Sequence, residues 1–566
     1  MKKIKEKEAQ GKGSILVTVV ILTAVISFAC IGVARLGQYH HRKQYGRTNW
    51  VEAYYTAENA MLEGIQMISD ELHDPSNTIG TYILSDSEQT LQMPYSPGSE
   101  VNYCTMTIEP DPMGMQDNFQ VTASAVIGGK WDNQQEKWAG SKIRTIRSLV
   151  RWRPPSLVFD YEYFLNNWGW WWGSSIRGYG DQRSNWDFDF RYNPYVFGHI
   201  FANGEVESNQ SPVDPFAGSP PFRGTAGGDP LTYCHVGSPR INMPNLKDLT
   251  YYETNATGSI EKGGELLVDG IHGDNETKPG IYLKGTDADP LEINGTVVIR
   301  GDCILRGTIT GQGTVYVGGN LYIAGNVEYD NGPSFNPPPE SMSGDDRDTW
   351  VDNSMDKDLI SFAVREAILG GKVNSSDWKS CSYETYPYGL KHVGDESQLG
   401  PDGIANTPDD GVKYMDTNGD GVPDSAWYDA DEDGVVDDNY DYNTDLKMTD
   451  ARRSQIQGYP KDDDNNLLDY NQVASDQLTL FEGIYYTNHA WASRSRLGPD
   501  YLQGTIICRD EAWIFSNSLY IRYDSRIHSR YQRKYFGGDP NRIIDLGLPI
   551  SEDVRILDRY EMKPQL

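Results

Sequence analysis

Two acidic segments, thirteen residues apart, combine residue types and spacing that suit the binding of calcium. In each segment, side chains with oxygen atoms occupy positions 1, 3, 5 and 9 of a loop, glycine occupies position 6, and position 7 offers its backbone carbonyl. A loop of this kind can wrap its oxygen atoms around one Ca²⁺ ion. The predicted ligands are Asp416, Asn418, Asp420, Val422 and Asp424 in the first loop and Asp429, Asp431, Asp433, Val435 and Asp437 in the second.

Position 12 distinguishes these loops from an EF-hand. It holds Trp427 in the first loop and Tyr440 in the second, where an EF-hand carries a bidentate glutamate. The pair is more similar to thrombospondin type 3 or dockerin-like calcium loops. We therefore expect Ca²⁺ to stiffen this segment, because a bound metal adds folding free energy. A solvated acidic loop without metal is the alternative.

The rest of the chain offers little for catalysis. It contains no nucleophile elbow, phosphate-binding loop, HExxH motif or CxxC pair, and its nine histidines are scattered. The six cysteines leave any disulfide pairing open. The formal net charge of −31 is opposite in sign to what phosphate binding requires. We therefore expect that the protein is not an enzyme and has no nucleic acid partner.

A glycine ladder is the clearest internal repeat. Between residues 295 and 330 glycine recurs at every sixth position, and the third and fifth residues of each hexad are apolar except at Gly311. Alternate residues of a strand share one face and glycine suits the corner between strands, so the repeat predicts a parallel β-helix, or β-solenoid. The ladder glycines are Gly295, Gly301, Gly307, Gly313, Gly319 and Gly325.

Related hexads begin at Gly198 and Gly504, which indicates that separated segments return to the same solenoid with insertions between them. Hairpin turns in an antiparallel sheet are the alternative explanation of the glycines. Within the main insertion, the spacing of Leu359, Ala363 and Ala367 predicts a short capped helix.

Two further clusters have both a structural and a binding interpretation. The tryptophan cluster either binds a sugar or packs against a loop. The basic cluster either docks an acidic partner or neutralises acidic loops of the protein itself. The members are Trp168, Trp170, Trp171 and Trp172 in the first cluster and Arg522, Arg526, His528, Arg530, Arg533 and Lys534 in the second.

The N-terminal region has the pattern of a long helix with two different halves. An uncharged run of 21 residues, Ser14 to Ala34, follows five lysines and would span about 31 Å as a helix, close to the hydrocarbon thickness of a bilayer. It predicts one transmembrane helix, with a cleaved secretory signal as the alternative. Apolar residues then recur at helical spacing from Trp50 to Leu72, and alternation in residues 100–109, 119–127 and 142–151 predicts the sheet on which they dock.

Three stretches of this region carry a family resemblance. They are Lys12-Gly13-Ser14 before the apolar run, Tyr55-Thr56-Ala57-Glu58-Asn59-Ala60 in the helix, and Ser148-Leu149-Val150 at the end of the last strand. In these the chain resembles PilX-type pilus assembly proteins, which are minor-pilin-like. The resemblance implies that prepilin peptidase cleaves between Gly13 and Ser14 and that the N-terminus lies in the cytoplasm. It also implies, as partners, other pilin or pseudopilin subunits and inner-membrane assembly proteins.

Thr18 departs from the pattern of major pilins. It is the fifth residue after the presumed cleavage point, where major pilins carry a glutamate that pairs with the amino terminus of a neighbouring subunit. Threonine cannot form that ion pair. We therefore expect a minor, tip or assembly role, and not a role as the bulk subunit of a filament.

Together the patterns predict a mainly β protein in which a long N-terminal α-helix and a pilin-like α+β region precede a parallel β-helix with insertions. The expected function is that of a structural component of a type IV pilus or type II secretion pseudopilus. The chain would cross the bacterial inner membrane once, with its bulk periplasmic or on the cell surface. A membrane-anchored, calcium-stabilised adhesin is the second hypothesis, and a β-helix polysaccharide-active enzyme is the third.

The same patterns predict the division of the chain. The expected segments are a cytoplasmic leader (1–13), a transmembrane helix (14–35), a pilin-like helix and sheet (36–153), the first part of the solenoid (154–340), an insertion with a helix and the calcium loops (341–480), and a return to the solenoid with a C-terminal cap (481–566).

Overall fold

The computed structural model describes residues 2–73, 89–94, 103–110, 118–127, 130–132, 137–139, 142–151, 155–166, 169–208, 234–246, 248–384, 390, 414–415, 425–426, 441–496, 498–532, 546–551 and 555–562. For some of these, among them residues 2–20, it describes the backbone alone. The chain divides into two compact units. Unit 1 comprises Met1–Pro154 and Glu552–Leu566, and unit 2 comprises Pro155–Ser551.

One long helix dominates the helical part of the structure. This helix, α1, runs without a break over Lys2–His73, and Pro75 follows shortly after its end. The other described helical segments are short and belong to unit 2. They are Leu157–Asp160, Thr250–Thr254, Pro339–Ser341, Gly344–Ser354, Ser376–Trp378, Lys379–Tyr383, Tyr442–Leu446, Asp450–Ser454, Tyr470–Val473, Ser525–Ile527 and Ser529–Gln532.

Strands account for 41% of the structure and helices for 25%, so the protein is mainly β, as predicted. The strands up to the glycine ladder are β1 (Gln89–Pro94), β2 (Tyr103–Pro110), β3 (Asn118–Ile127), β4 (Lys130–Asp132), β5 (Lys137–Ala139), β6 (Lys142–Arg151), β7 (Tyr163–Leu165), β8 (Gly169–Trp172), β9 (Ile176–Tyr179), β10 (Gln182–Ser184), β11 (Phe188–Arg191), β12 (Tyr195–Phe197), β13 (Ile200–Ala202), β14 (Val206–Ser208), β15 (Cys234–His235), β16 (Ser259–Lys262), β17 (Glu265–Asp269), β18 (Ile271–His272) and β19 (Gly280–Lys284). The remaining strands are β20 (Leu291–Ile299), β21 (Cys303–Thr310), β22 (Gln312–Val317), β23 (Leu321–Tyr329), β24 (Leu359–Val364), β25 (Ile368–Gly370), β26 (Tyr414–Met415), β27 (Ser425–Ala426), β28 (Ile456–Gln457), β29 (Leu480–Thr487), β30 (Trp491–Arg494), β31 (Asp500–Cys508), β32 (Ala512–Phe515), β33 (Leu519–Arg522) and β34 (Arg555–Met562).

Unit 1 contains a five-stranded antiparallel sheet in the order β1-β2-β3-β6-β34. Strands β2, β3 and β6 coincide with the three segments whose alternation predicted them. The position of β34 differs from the prediction that the C-terminal segment caps the solenoid. Strand β34 pairs with β6, with Arg555 opposite Arg151, so the C-terminal strand completes the sheet of unit 1 and does not cap the second unit.

Unit 2 is built around a large sheet in which most strands pair in parallel. In the glycine ladder Gly295 lies opposite Gly313 and Val297 opposite Val315, so paired strands are eighteen residues, or three hexads, apart. This parallel register excludes the hairpin explanation for the ladder strands. The separated segments that were predicted to return to one solenoid do pair within this one sheet, since β31 pairs with β7 and β13 pairs with β10.

The ladder strands point their apolar residues into one core, as predicted. The third-position residues Val297 and Val315 and the fifth-position residues Ile299 and Val317 are all fully buried in the largest apolar cluster of unit 2. Each long strand has two parts, here called arms, and each arm pairs with a different neighbouring strand. The first arm of β20 pairs with β21 and its second arm with β22. Through such pairings six strands close a ring, in the order β20, β22, β24, β29, β23 and β21.

Strand β24 replaces the helix that was predicted from Leu359 to Ala367. All six of its residues are buried, and β22 and β29 flank it in parallel. A strand that is buried on both faces is apolar at successive positions, so its period of two is hidden in the sequence. The helix of this region lies earlier, at Gly344–Ser354, where the Ser343 side chain accepts a hydrogen bond from the Asp346 amide.

Candidate functional site

The first half of α1 presents apolar side chains to its surroundings. Among the described residues, Ile21–His41 is the segment that is long and apolar enough to cross a membrane, and none of it is buried within the protein. Phe28 and Val33 illustrate this, because they are 76% and 72% exposed. An apolar surface of this size is unfavourable in water. The segment is compatible with a single-pass membrane anchor.

The second half of α1 packs on the sheet of unit 1, as the apolar stripe from Trp50 to Leu72 predicted. The contact is close, because a Cβ atom added at Gly64 would lie 2.3 Å from Sδ of Met106 and 3.0 Å from Cγ1 of Val121. Small side chains make this close packing possible. The fully buried residues of this helical face are Ala53, Ala57, Ala60, Met61 and Ile68.

Polar contacts at the edge of the sheet hold the helix in register. Glu58 of α1 accepts a hydrogen bond from Arg559 of β34. The guanidinium of Arg144 lies 4.0 Å from the ring centre of Trp50 in α1 and 3.0 Å from a carboxylate oxygen of Glu561. Sequence reasoning missed these contacts, because the partner strand is at the opposite end of the chain and has no local signal.

The predicted processing site lies in the helix as well. Gly13, Ser14 and Thr18 belong to the helical backbone of α1, and their side chains are outside the described set. The apolar segment and the residues on either side of the presumed cleavage point are therefore parts of one element. Cleavage after Gly13 stays a prediction.

The ten predicted calcium ligands are outside the described residues. Next to the first loop, β26 and β27 pair in antiparallel fashion, with Met415 opposite Ser425. This pairing brings the two ends of the loop together, as a loop around one ion requires. Within the described part of the chain, no group of three or more His, Cys, Asp or Glu side chains is placed to hold a metal ion. Calcium binding therefore stays a prediction.

Arg526, a member of the basic cluster, is buried, and its guanidinium group is fully hydrogen-bonded within the protein. Its guanidinium lies 2.6 Å from a carboxylate oxygen of Asp524, and both side chains are almost completely inaccessible to solvent. It also donates hydrogen bonds to the carbonyl oxygens of Ser354, Lys357 and Asp358. Arg526 is thus a structural residue that joins a turn to the end of a helix.

Two neighbours of Arg526 are engaged with carboxylates too. Nδ1 of His528 lies 3.5 Å from Asp160, and Arg530 donates to Glu340 over 3.2 Å. Burial lowers the pKa of His528, although the negative charge of Asp160 opposes this effect. The contacts of Arg526, His528 and Arg530 agree with the interpretation that the cluster neutralises acidic groups of the protein itself. Arg522 differs, because it forms no ion pair with the described residues. Arg533 and Lys534 lie outside the described residues.

The tryptophan cluster does not form one flat face. Trp171 is buried in the core of unit 2, whereas Trp170 packs 4.8 Å from the ring of Trp513. Trp172 is 41% exposed and stacks on Tyr192. The side chains of β8 therefore point in different directions and mainly pack the protein. Trp168 is outside the described residues.

Comparison with known proteins identifies no relative of this chain. No protein-family model, curated protein or solved structure matches this chain. What can be said of its function rests on the geometry of α1, on the two units and on the sequence patterns.

Proposed function

We propose that the protein is a minor-pilin-like structural or assembly component of a type IV pilus or a type II secretion pseudopilus. One observation carries this proposal. A single continuous helix, α1, joins an exposed apolar half to a half that is packed on an antiparallel sheet. Such a helix can hold the subunit in the membrane before assembly and pack against the helices of neighbouring subunits afterwards.

The continuity of α1 favours an anchor over a cleaved secretory signal. Removal of the apolar segment by signal peptidase would cut α1 shortly before the half that forms the core of unit 1. The remaining helix would then begin close to the residues that pack on the sheet, and the backbone N–H groups of its first turn would have no partners within the helix. The more economical interpretation is that both halves stay together in the mature protein.

For unit 2 we propose a parallel β-helix. Bent strands such as β20 pair through each arm with a different neighbour, and this accounts for the ring of six strands. The register of eighteen residues between Gly295 and Gly313 corresponds to three short strands for each coil. The two predicted loops, which lie in the sequence between β25 and β28, would bind Ca²⁺.

The proposal implies a location and partners. The apolar half of α1 would cross the bacterial inner membrane, and both units would lie on the periplasmic side or on the cell surface. Prepilin peptidase and other pilin or pseudopilin subunits would be the partners. Thr18 favours a priming, tip or assembly role, because it cannot form the ion pair expected of a bulk subunit.

Mass spectrometry of the mature N-terminus tests the proposal. We expect the mature chain to begin at Ser14 and the Gly13→Val variant to retain residues 1–13. Gly11→Val is the matched control, since it makes the same change two residues away and should still be processed. A mature chain that begins at Met1, or near residue 35, would contradict the proposal.

Calcium binding needs a separate experiment. Titration of the full chain with Ca²⁺ should slow hydrogen exchange in residues 414–440, and Asp420→Asn combined with Asp433→Asn should abolish this effect. Asp464→Asn, in an exposed turn elsewhere in unit 2, is the control and should leave it unchanged. If Ca²⁺ does not slow exchange in this segment, the two loops do not bind it.

A second candidate function, that of an anchored binding module, is favoured by one specific observation. An outward face of unit 2 carries tyrosine rings and guanidinium groups in ordered rows.

A further inference from the structure

Five parallel strands of unit 2 form a face that combines aromatic rings with guanidinium groups. The strands pair in the order β29, β31, β33, β9 and β12, and their register aligns one outward residue of each strand with the next. We name this surface the tyrosine–arginine face. Its first row is Leu480, Tyr501, Tyr520, Arg177 and Tyr195, and its second row is Glu482, Gln503, Arg522, Tyr179 and Phe197.

The strands position these side chains outward for a simple reason. Successive residues of a strand point to opposite sides, and the residues between the two rows are buried in the core of unit 2. Leu502, Ile521 and Val196 are examples of these inward residues. Apart from Glu482, which is buried at one edge, the residues of both rows are at least partly exposed.

The rings and the guanidinium groups form a continuous surface. The rings of Tyr501 and Tyr520 stack with 5.1 Å between their centres. Arg177 lies 5.5 Å from the ring centre of Tyr520 and 5.8 Å from that of Tyr195. Arg522 lies 5.1 Å from the ring centre of Tyr501. These contacts hold the long arginine side chains flat against the sheet, so less conformational entropy is lost when a ligand binds them.

Neither arginine has a carboxylate partner in the described part of the chain. Arg177 and Arg522 form no ion pair there, and Nε of Arg522 is buried without a hydrogen-bond acceptor. Other arginines of unit 2, such as Arg526 and Arg530, are paired with acidic side chains. These two guanidinium groups, in a chain with a net charge of −31, are therefore available to bind anionic groups of a ligand.

One end of the face opens into a shallow depression of about 470 Å³. Tyr501 and Arg522 line it together with the amide side chains of Gln503 and Asn336. Asn326 lies there too, but its amide group is already hydrogen-bonded to Thr479. Amide groups both donate and accept hydrogen bonds, which suits hydroxyl groups on a ligand. The depression therefore adds polar recognition to the aromatic rows.

We propose that the tyrosine–arginine face binds an extended oligosaccharide that carries carboxylate groups at intervals. Its sugar rings would lie across the outward edges and hydroxyl groups of the tyrosine rows, and its carboxylates would pair with Arg177 and Arg522. Its hydroxyl groups would bond to the amides of the depression. This proposal goes beyond the pilus role and does not depend on it.

The spacing of charge favours a glycan over nucleic acid. Four steps between five strands cover about 19 Å, at roughly 4.8 Å for each step. A nucleic acid strand carries a phosphate about every 3.4 Å and would present several times more charge than two arginines can neutralise. An acidic peptide is less suitable, because extended peptides usually bind at the edge of a sheet and these rows lie on its face.

Calorimetric titration of the full chain in detergent tests the proposal. The probes are a hyaluronan decasaccharide, which has one carboxylate on every second sugar, a neutral cello-oligosaccharide, a poly-glutamate peptide and an oligo-dT strand. We expect hyaluronan to bind best. Tyr520→Ala should weaken this binding at least tenfold, and Arg177→Gln should reduce the preference for hyaluronan over the neutral glycan. Trp172→Ala, at an exposed aromatic residue of another sheet, is the control and should have no effect.

The outcomes separate the alternatives. Equal binding of the neutral glycan would overturn the role of the arginines, and preferential binding of the peptide or of oligo-dT would overturn the glycan assignment. Absence of binding to every probe, or binding that the Tyr520 and Arg177 variants leave unchanged, would overturn the whole proposal. A thermal unfolding curve for each variant must match that of the parent protein, and Tyr195→Ala replaces Tyr520→Ala if the latter unfolds.

Discussion

At the scale of single residues, Arg526 shows how the protein accommodates a buried charge. Its five N–H donors reach Asp524 and the three carbonyl oxygens of Ser354, Lys357 and Asp358. Burial of a charge is costly unless its hydrogen bonds are complete. The arrangement fastens the turn after β33 to the segment that precedes β24, so removal of the guanidinium would affect both.

We expect Arg526→Met to lower the free energy of unfolding of unit 2 by about 3–5 kcal/mol, because it leaves the Asp524 charge buried without a partner. Arg496→Met is the control. Arg496 is 50% exposed where it pairs with Asp377 and Asp476, and a surface ion pair contributes at most about 1 kcal/mol. Chemical denaturation of the two variants gives the comparison. Equal losses of stability would show that the buried network is not important.

Glu482 gives a prediction for pH. Its carboxylate accepts a hydrogen bond from the Tyr329 amide over 2.5 Å, and burial raises its pKa from an ordinary 4.5 to about 7. The folded protein therefore binds this proton more tightly than the unfolded chain. Stability contributed by the protonated carboxyl is complete below about pH 4.5, decreases as the pH rises towards 7, and is lost above that value.

The loss amounts to roughly 3–4 kcal/mol at most, at about 1.4 kcal/mol for each pKa unit. We expect Glu482→Gln to unfold at a higher denaturant concentration than the parent protein at pH 8 and to show a flatter dependence between pH 4.5 and 7. Glu276→Gln, at an exposed position, is the control and should follow the parent curve. Identical curves for the parent and Glu482→Gln would contradict the assignment.

At the scale of elements, the two halves of α1 lie in different environments. Its first half is apolar and exposed, whereas its second half buries small residues against β3 and β6. Gly64 and Gly37 mark the difference. A Cβ atom at Gly64 would collide with Met106, but one at Gly37 would meet nothing within 4 Å.

Leucine substitutions at the two glycines should therefore have opposite effects. Gly64→Leu should destabilise unit 1 by about 1–3 kcal/mol, because the side chain has no room between helix and sheet. Gly37→Leu should be neutral or slightly stabilising, since leucine is a better helix former than glycine. Hydrogen exchange in β3 and β6 of the protein in detergent measures the effect. Unchanged exchange in the Gly64 variant would mean that the helix does not pack as described.

At the scale of the whole molecule, the two ends of the chain meet in unit 1. Strand β34 pairs with β6 and supplies Arg559 to Glu58 of α1, while the chain between β6 and β34 forms unit 2. Unit 1 is therefore completed only after the rest of the chain has been made. Without β34, the edge of β6 would carry unpaired backbone groups.

Removal of residues 552–566 should accelerate hydrogen exchange in β6 and lower the stability of unit 1, whereas exchange in the core strands of unit 2 should not change. Removal of residues 563–566 alone is the control, because it leaves β34 intact. If exchange in β6 is the same with and without β34, the C-terminal strand does not stabilise unit 1.

The sequence by itself determined the elements whose residues obey a local period. The apolar run and stripe of α1, the alternation of β2, β3 and β6, and the inward positions of the glycine ladder could all be read directly, because burial of one face imposes a period of 3.6 or 2. The same local signals failed at β24. Its two buried faces make the period disappear, and it was predicted as a helix.

Only the tertiary structure decided which distant residues meet. A buried network neutralises Arg526, whereas Arg522 forms no ion pair with the described residues. The sequence around these two arginines does not predict this difference. The tyrosine–arginine face draws its ten residues from two distant parts of the chain, 177–197 and 480–522, and β34 joins a sheet from the far end of the chain. In parallel and long-range pairing, strands that are far apart in the sequence lie side by side. Which residues then face each other depends on the tertiary fold and cannot be predicted from a local pattern of residues.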